Sequence, residues 1–388
     1  MIVGALGSGE QQKKDWPKVA IGDLFKVERG KIGIKAASPG DFPLVTTGEK
    51  FASHFEPHFS GDAVCIPLIS ATGHGHASLK RLHHIDGEFA VGSILGVCIN
   101  RVPERVSARY VYYYLSACKE SVLVPLMQGT ANMSMKVTDV AGVEIPLPPL
   151  SVQQAYVSHF DALAEKTRQL EAHLDAVDRN AEHLLALRFR DAIAAAPLRA
   201  MAEVAPSIRR SVEIDIATRY REVGARSFGK GLFIKPDFDG AEVTWQKPVW
   251  IRKGDLVLSN IKAWEGAIAI AEEEHDGSIA SHRYITCVPA PELVTVGFLA
   301  YYLLSEDGLE KVGFASPGTA DRNRTLSLSN LGKIEVPTPS LATQRAFARL
   351  QVEVTALKTQ HAAIRQANAA LLPATLERVF STEIPAYA

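Results

Sequence analysis

The chain has 388 residues, 47% hydrophobic and 22% charged, with a formal net charge of −1. That length allows two or three domains with real cores, and the composition is that of an ordinary globular protein. The balanced charge excludes a global field drawing the chain to nucleic acid, so any such contact must rest on local basic patches or on a basic partner.

In chain order, residues 1–15 read as a flexible tail, without the sustained apolar run of a secretory signal. No apolar stretch anywhere is long enough to span a bilayer, so a cytoplasmic location with no membrane partner is expected. The four cysteines, Cys65, Cys98, Cys118 and Cys287, lack the C-x-x-C spacing of a zinc ribbon or redox motif. They read as core thiols of a reducing compartment.

Residues 16–150 predict a first globular block. Short β-rich runs such as AVCIPLIS (63–70) and SILGVCI (93–99) are punctuated by Gly, Pro and Asp, which points to an α+β domain built on a sheet. Residues 108–120 predict a short helix. The segment ISATGHGHASLKRLHH (69–84) carries His74, His76, His83 and His84. His-x-His can ligate a metal, but no acidic or cysteine ligand stands nearby. A glycine-rich polar loop with Lys80 and Arg81 fits recognition at least as well.

Residues 151–196 predict one long helix. Ser151 reads as its N-cap, with Gln154 completing a capping box. Tyr156, Phe160, Leu163, Thr167, Leu170, Leu174, Val177, Ala181 and Leu184 alternate steps of four and three, a heptad seam. Residues 197–339 predict a second globular block, again of strands broken by turns. Residues 340–381 predict a second long helix, seamed by Phe347, Leu350, Val354, Leu357, His361, Ile364, Asn368 and Leu371. Polar His361 and Asn368 inside a seam can fix register and partner choice. Pro373 is expected to kink or interrupt the last turns.

The two halves repeat one frame. VEIPLPPLSVQQ (143–154) corresponds to IEVPTPSLATQR (334–345), pairing Pro146 with Pro337 and Gln153 with Gln344. Without a gap, the same alignment pairs Tyr156 with Phe347, Leu185 with Leu376 and Phe189 with Phe380. Upstream, GTANMS (129–134) sits over GTADRN (318–323), residues 103–117 over 291–305, and Gly61-Asp62-Ala63-Val64 over Gly254-Asp255-Leu256-Val257. Between these blocks the halves share little. Two copies of one scaffold with unlike faces imply a pseudo-twofold molecule reading a two-part target. Antiparallel packing of the helices would place the blocks at opposite ends of a rod; two helices each packed on its own domain is the alternative.

The chain lacks a phosphate-binding P-loop, an Asn-Pro-Pro or Asp-Pro-Pro tripeptide, an acidic-x-Lys metal-nuclease pair and a G-x-S-x-G elbow. Basic and small-polar loops recur instead. In the first half the candidate DNA-contacting residues are Thr72, His74, His76, Lys80, Arg81, Thr130, Asn132 and Lys136. In the second they are Lys262, Arg283, Thr319, Arg322, Asn323 and Arg324, with Arg219, Arg221, Arg226 and Lys230 also standing out. Arg to guanine and Asn to adenine are the commonest direct readout pairs.

These paired ends, each opening a long helix, together with ISATGHGHASLKRL and GEFAVGSILGVCI, resemble the specificity subunits of type I restriction–modification systems. The resemblance covers about residues 16–380. It implies two target-recognition domains separated by two long helices that form an antiparallel coiled coil. It further implies a non-catalytic chain without a cofactor of its own, each domain reading one half of a split site in the major groove of double-stranded DNA. The helices would set the gap and dock two methyltransferase subunits, which carry S-adenosylmethionine and modify adenine. Motor-nuclease subunits using ATP and magnesium would join through those. The second strap departs from the family pattern in ending Gln344-Arg345, and the second half lacks the GHGHAS loop, so the two domains should contact DNA differently. A coiled-coil scaffold that reads no sequence, an accessory part of another phage-defence methylation system, and an enzyme acting alone are the competing readings.

Overall fold

The computed structural model describes residues 16–33, 36–72, 77–130, 133–243, 247–318 and 323–380. The chain divides into two compact units, one of residues 1–174 and 362–388, the other of residues 175–361. The division falls in the middle of both long helices, so each unit takes the start of one and the end of the other.

In the first unit, strand Lys18–Ala20 leads into a single turn, α1 (Ile21–Leu24), and pairs antiparallel with Glu144–Pro146. A four-stranded sheet orders Phe25–Arg29, Leu95–Asn100, Ala63–Pro67 and His83–Ile85. A second orders Ala52–His54, Phe42–Val45, Glu88–Val91 and Phe59–Ser60. Strand Ala63–Pro67 is buried throughout, which explains its unbroken apolar run. Helix α2 (Ala108–Val122) is capped by the Ser107 side chain, α3 (Val137–Ala141) follows, and α4 (Leu150–Ile193) runs on from the Pro-rich strap.

The second unit repeats the frame. Strand Leu198–Ala200, the turn α5 (Met201–Val204) and the antiparallel partner Glu335–Pro337 reproduce the first unit's opening, a part of the repeat that sequence matching did not recover. The three-stranded sheet orders Ile268–Ile270, Leu256–Ser259 and Tyr284–Cys287. Helices α6 (Val296–Leu303), α7 (Glu306–Phe314), α8 (Leu328–Lys333) and α9 (Leu341–Phe380) complete it. The matched Gly61 and Gly254 both adopt left-handed φ, 113° and 83°, and turn the chain into the central strand of each sheet. The aspartates that follow them anchor differently: Asp62 bonds His84, whereas buried Asp255 pairs with Arg210.

Each unit joins its sheet to the helices through aromatic rings. In the first, Phe380 of α9 meets Tyr156 at 5.9 Å and Phe160 at 5.8 Å, with Tyr110 and Tyr114 of α2 around it. In the second, Phe189 of α4 meets Phe347 at 5.2 Å and Phe298 at 5.1 Å. The residues paired by the repeat, Tyr156 with Phe347 and Phe189 with Phe380, therefore serve crosswise: each unit holds one of each. Within each unit the start of one helix packs on the end of the other, which is antiparallel pairing.

The seam departs from the expected heptad. Leu170 and Ile364 are 36% and 42% exposed, and Leu184 and Leu371 also face outward. Their places are taken by Glu171 and Arg365 (3.5 Å apart) and by half-buried Leu185 and Leu372. A straight helix turns every 3.6 residues and drifts away from a strict seven-residue repeat. Leu174 and Val354 are buried; Leu163, Val177, Leu350 and Leu357 are half-buried. The seam is polar at its middle. In one unit His361 bonds Asp178 at 2.6 Å; in the other Asn368 donates to the Thr167 carbonyl at 3.0 Å and to Glu171 at 2.8 Å. Pro373 lies inside α9 and does not end it, because it and Ala369, whose carbonyl it frees, are both exposed where water can serve that carbonyl.

Helix α4 begins at Leu150, one residue before the expected cap, and the neighbour of the predicted capping residue does the structural work. Buried Gln153 donates to the carbonyls of Pro148 (2.8 Å) and Arg105 (3.0 Å) and accepts from Ser107 N–H (2.9 Å). Gln344 does the same with Pro339 (2.8 Å), Leu293 (2.9 Å) and Thr295 (2.8 Å). One side chain thus ties strap, long helix and the cap of the next domain helix in each half.

Candidate nucleic-acid interface

In the first unit two candidate loops are stitched side by side. Ile69 and Gln128 both bridge to Ser134, Ser70 N–H donates to Met133 O (2.8 Å) and Met135 N–H to Leu68 O (2.9 Å). The neck of the 69–81 loop is closed by Ala71 N–H on Ser78 O (2.9 Å) and Ser78 N–H on the Ser70 hydroxyl (3.1 Å). The Thr72 hydroxyl sits 3.3 Å from that of Ser70 and 3.2 Å from that of Ser78, so it holds the loop closed. Beyond the neck, Lys119 of α2 donates to the carbonyls of Leu79 (2.6 Å) and Lys80 (2.7 Å). That contact, with buried Leu79 and Leu82, leaves the side chains of Lys80 and Arg81 in solvent. Arg81 lies 3.6 Å from Glu49 across the surface, a pair of little energetic weight. Thr130 and Lys136 are exposed on the adjacent loop. His74, His76 and Asn132 lie outside the described residues.

The other two histidines belong to packing. His83 is buried on its strand; burial first, then the charge of Arg81, holds its pKa below the ordinary value. His84 bonds Asp62 at 2.7 Å and Arg109 at 3.1 Å, and Arg109 bonds Asp161 of α4 at 2.7 Å. This chain of hydrogen bonds fastens the sheet to the long helix. Among the described residues no three His, Cys, Asp or Glu side chains gather as a metal site. All four thiols are buried, and burial pushes Cys98 and Cys287 up to about 12, far from a reactive thiolate.

In the second unit three candidate loops converge on Asn260. Its N–H donates to Arg283 O (2.8 Å), and its carbonyl accepts from Leu326 N–H (2.6 Å). Lys262, Arg283 and Asn323–Arg324 are thereby brought together; Thr319 and Arg322 lie outside the described residues. The roles differ. Arg283 and Asn323 are both exposed. Arg324 is committed to the fold: it donates to Gly313 O (2.9 Å) and Ser316 O (3.4 Å) at the end of α7, and its guanidinium lies 4.5 Å over the Trp264 ring. Lys262 bonds Glu265 at 2.6 Å, which holds that carboxyl below its usual range, and lies 5.1 Å from the same ring. Beside these loops a cleft of about 320 Å³ is lined by Arg209, Asn260, His282 and Tyr284, and the buried Asn260 Oδ1 has no partner among the described residues.

Sequence reasoning marked these segments as basic loops and missed two roles in them, those of Asn260 and Phe228. Asn260 organises the face through its backbone, for which residue type carries no signal. The hairpin of strands Val223–Ala225 and Leu232–Ile234 raises a tip, Arg226–Gly231, with Phe228 at its apex. Its signal was an apolar ring among the basic residues Arg226 and Lys230 and the glycines Gly229 and Gly231.

Both faces offer cations, hydroxyls and amides on polar loops over a rigid sheet. That arrangement suits reading base edges and gripping phosphates, and the loops differ between the units while the frame does not. Residues 13–177 match the type I restriction modification DNA specificity domain. Three solved structures are similar over nearly the whole chain. A structure of a type I restriction–modification system described for its assembly and conformational transition shares 18% identity over 94% of this chain and 97% of that one, with a TM-score of 0.60. The HsdS subunit of Thermoanaerobacter tengcongensis shares 17% identity over 95% and 97%, with a TM-score of 0.56. The type I S subunit of M. genitalium shares 16% over 95% and 96%, with a TM-score of 0.48. No curated protein matches significantly.

Proposed function

We propose that the chain is a specificity subunit of the type I restriction–modification kind and that each of its two units reads one half of a bipartite DNA site. The observation that carries this reading is the like frame with unlike loops. Strap, glutamine tie and aromatic joint repeat, whereas the candidate loops differ beyond a shared Gly-Thr-Ala (129–131 and 318–320), and the second half has no counterpart of GHGHAS. Two different words separated by a gap are the target such a protein would recognise.

On this reading the chain is a non-catalytic subunit of a complex. Exposed side chains on α4 and α9 are the surface that two methyltransferase subunits would grip, and the paired helices set the gap between the half-sites. S-adenosylmethionine, ATP and magnesium would be bound by partner subunits. The complex would work in the cytoplasm. Among the described residues no helix is long and apolar enough to cross a membrane. On this reading Arg283, Lys262 and Asn323 would contact DNA in the second unit, and Lys80, Arg81, Thr130 and Lys136 in the first. Methylome sequencing of cells carrying the full complex tests this. An asymmetric split motif with a fixed gap is expected; a continuous site, a palindrome or no motif refutes it.

A further inference from the structure

Phe228 is 76% exposed, and its φ is 62°. A bulky residue rarely adopts left-handed backbone, and such strain persists only when the surroundings impose it. Here they do. Phe228 N–H donates to Glu265 O at 2.8 Å and Gly229 N–H to Gly266 O at 2.9 Å, while Arg226 N–H closes the tip on Gly231 O at 3.0 Å. The Ser227 hydroxyl adds a bond to Glu265 at 3.1 Å. Gly266 is packed so closely that a Cβ there would lie 3.3 Å from the Phe228 backbone. The ring is thus held out rigidly from the turn that carries Lys262 and Trp264.

Its surroundings are basic. Lys230 Nζ lies 5.9 Å from the ring, and Arg226 flanks it while stacking on Phe233 at 4.7 Å. The one acidic neighbour on this turn, Glu265, is paired with Lys262. An exposed aromatic ring framed by cations complements a polyanion that also offers flat apolar faces. Duplex DNA is that partner, and its bases are reached where a step is pried open.

We infer that Phe228 is a wedge: the hairpin tip drives its ring against or between two base pairs of the half-site read by the second unit, with Arg226 and Lys230 on the flanking phosphates. Apolar side chains inserted at base steps unstack and kink DNA, and flexible pyrimidine–purine steps yield most readily. The tip would then select sequence by deformability at a step it need not hydrogen-bond. This inference rests on the DNA-specificity reading above.

The test uses the assembled complex, wild type and with Phe228→Ala, Phe228→Leu or Phe228→Gly, on duplexes carrying 2-aminopurine at successive positions of the methylated site. Wild type should raise 2-aminopurine fluorescence at one step of one half-site. Phe228→Ala should abolish that rise and weaken binding roughly tenfold, the scale of one lost aromatic–base stack. Phe228→Leu should keep part of both. Phe228→Gly relieves the backbone strain, so it should match or exceed wild-type thermal stability and still lose the fluorescence signal, which separates folding from function. Site-specific binding without a rise at any step, or a Phe228→Ala complex that behaves as wild type, overturns the wedge alone. Loss of co-purifying subunits with DNA unstacking intact would make Phe228 a protein contact and equally overturn it. A wild-type complex that protects no specific site overturns the underlying reading.

Discussion

Replacing Gln344 by alanine should loosen the second unit and spare the first. Gln344 is fully buried (0% exposed) and makes three hydrogen bonds, from Thr295 N–H and to the carbonyls of Leu293 and Pro339. At about 1 kcal/mol net for each bond the loss is about 3 kcal/mol, and orphaning these groups in a half-buried setting raises it toward 5 kcal/mol. That is a large part of a domain's margin of about 5–15 kcal/mol. Hydrogen-exchange mass spectrometry reads the effect locally. Amides of residues 291–305 should exchange about 100-fold faster, the equivalent of about 3 kcal/mol of lost protection. Residues 103–117 should be unaffected, because Gln153 performs the same task there. Gln153→Ala should give the mirror result, and Gln344→Glu, which removes both donated bonds, should resemble Gln344→Ala. An acceleration below tenfold, or equal loosening of both segments, would refute the idea that one glutamine ties each strap to its own domain.

Four further outcomes are expected. Leu174→Ala should lower stability by about 2–4 kcal/mol and Leu170→Ala by under about 1 kcal/mol in chemical denaturation, since only Leu174 is buried; similar losses would restore the heptad seam. Arg283→Ala should relax preference in one half-site by about 1–3 kcal/mol in a randomised-library methylation assay, whereas Arg324→Ala should lower the melting temperature and leave specificity unchanged. Thiol reagents at pH 8 should label none of the four buried cysteines in the native protein and all of them after denaturation, because burial pushes Cys98 and Cys287 up to about 12; rapid native labelling would contradict this. Asp307 is held below the usual carboxylate range by its bonds from Tyr302 and Lys311. Its contribution is therefore present above about pH 4 and lost as pH falls through the lowered value. Asp307→Asn should flatten the acid limb of the second unit's stability curve, and an unchanged limb would show that Asp307 does not shape it.

Much was legible in the chain alone because it states its plan twice. The paired straps, the gapless alignment of Tyr156 with Phe347 and Phe189 with Phe380, and the long periodic segments determined two domains and two helices. Repetition turns weak local patterns into a strong one. Missing catalytic motifs made a binding role the expectation, because chemistry needs particular residues at particular spacings and those can be searched for. Tertiary structure decided the rest. The heptad reading placed Leu170 and Ile364 inside, yet Glu171 and Arg365 took those positions, because the turn of a straight helix and polar bonds across the pair choose the inward face. Thr72 and Arg324 looked like free donors and are spent on a loop neck and a helix end, while Arg283 keeps its side chain in solvent. A residue's type reveals which bonds it can make, and only the packed chain decides which of them the fold has already used.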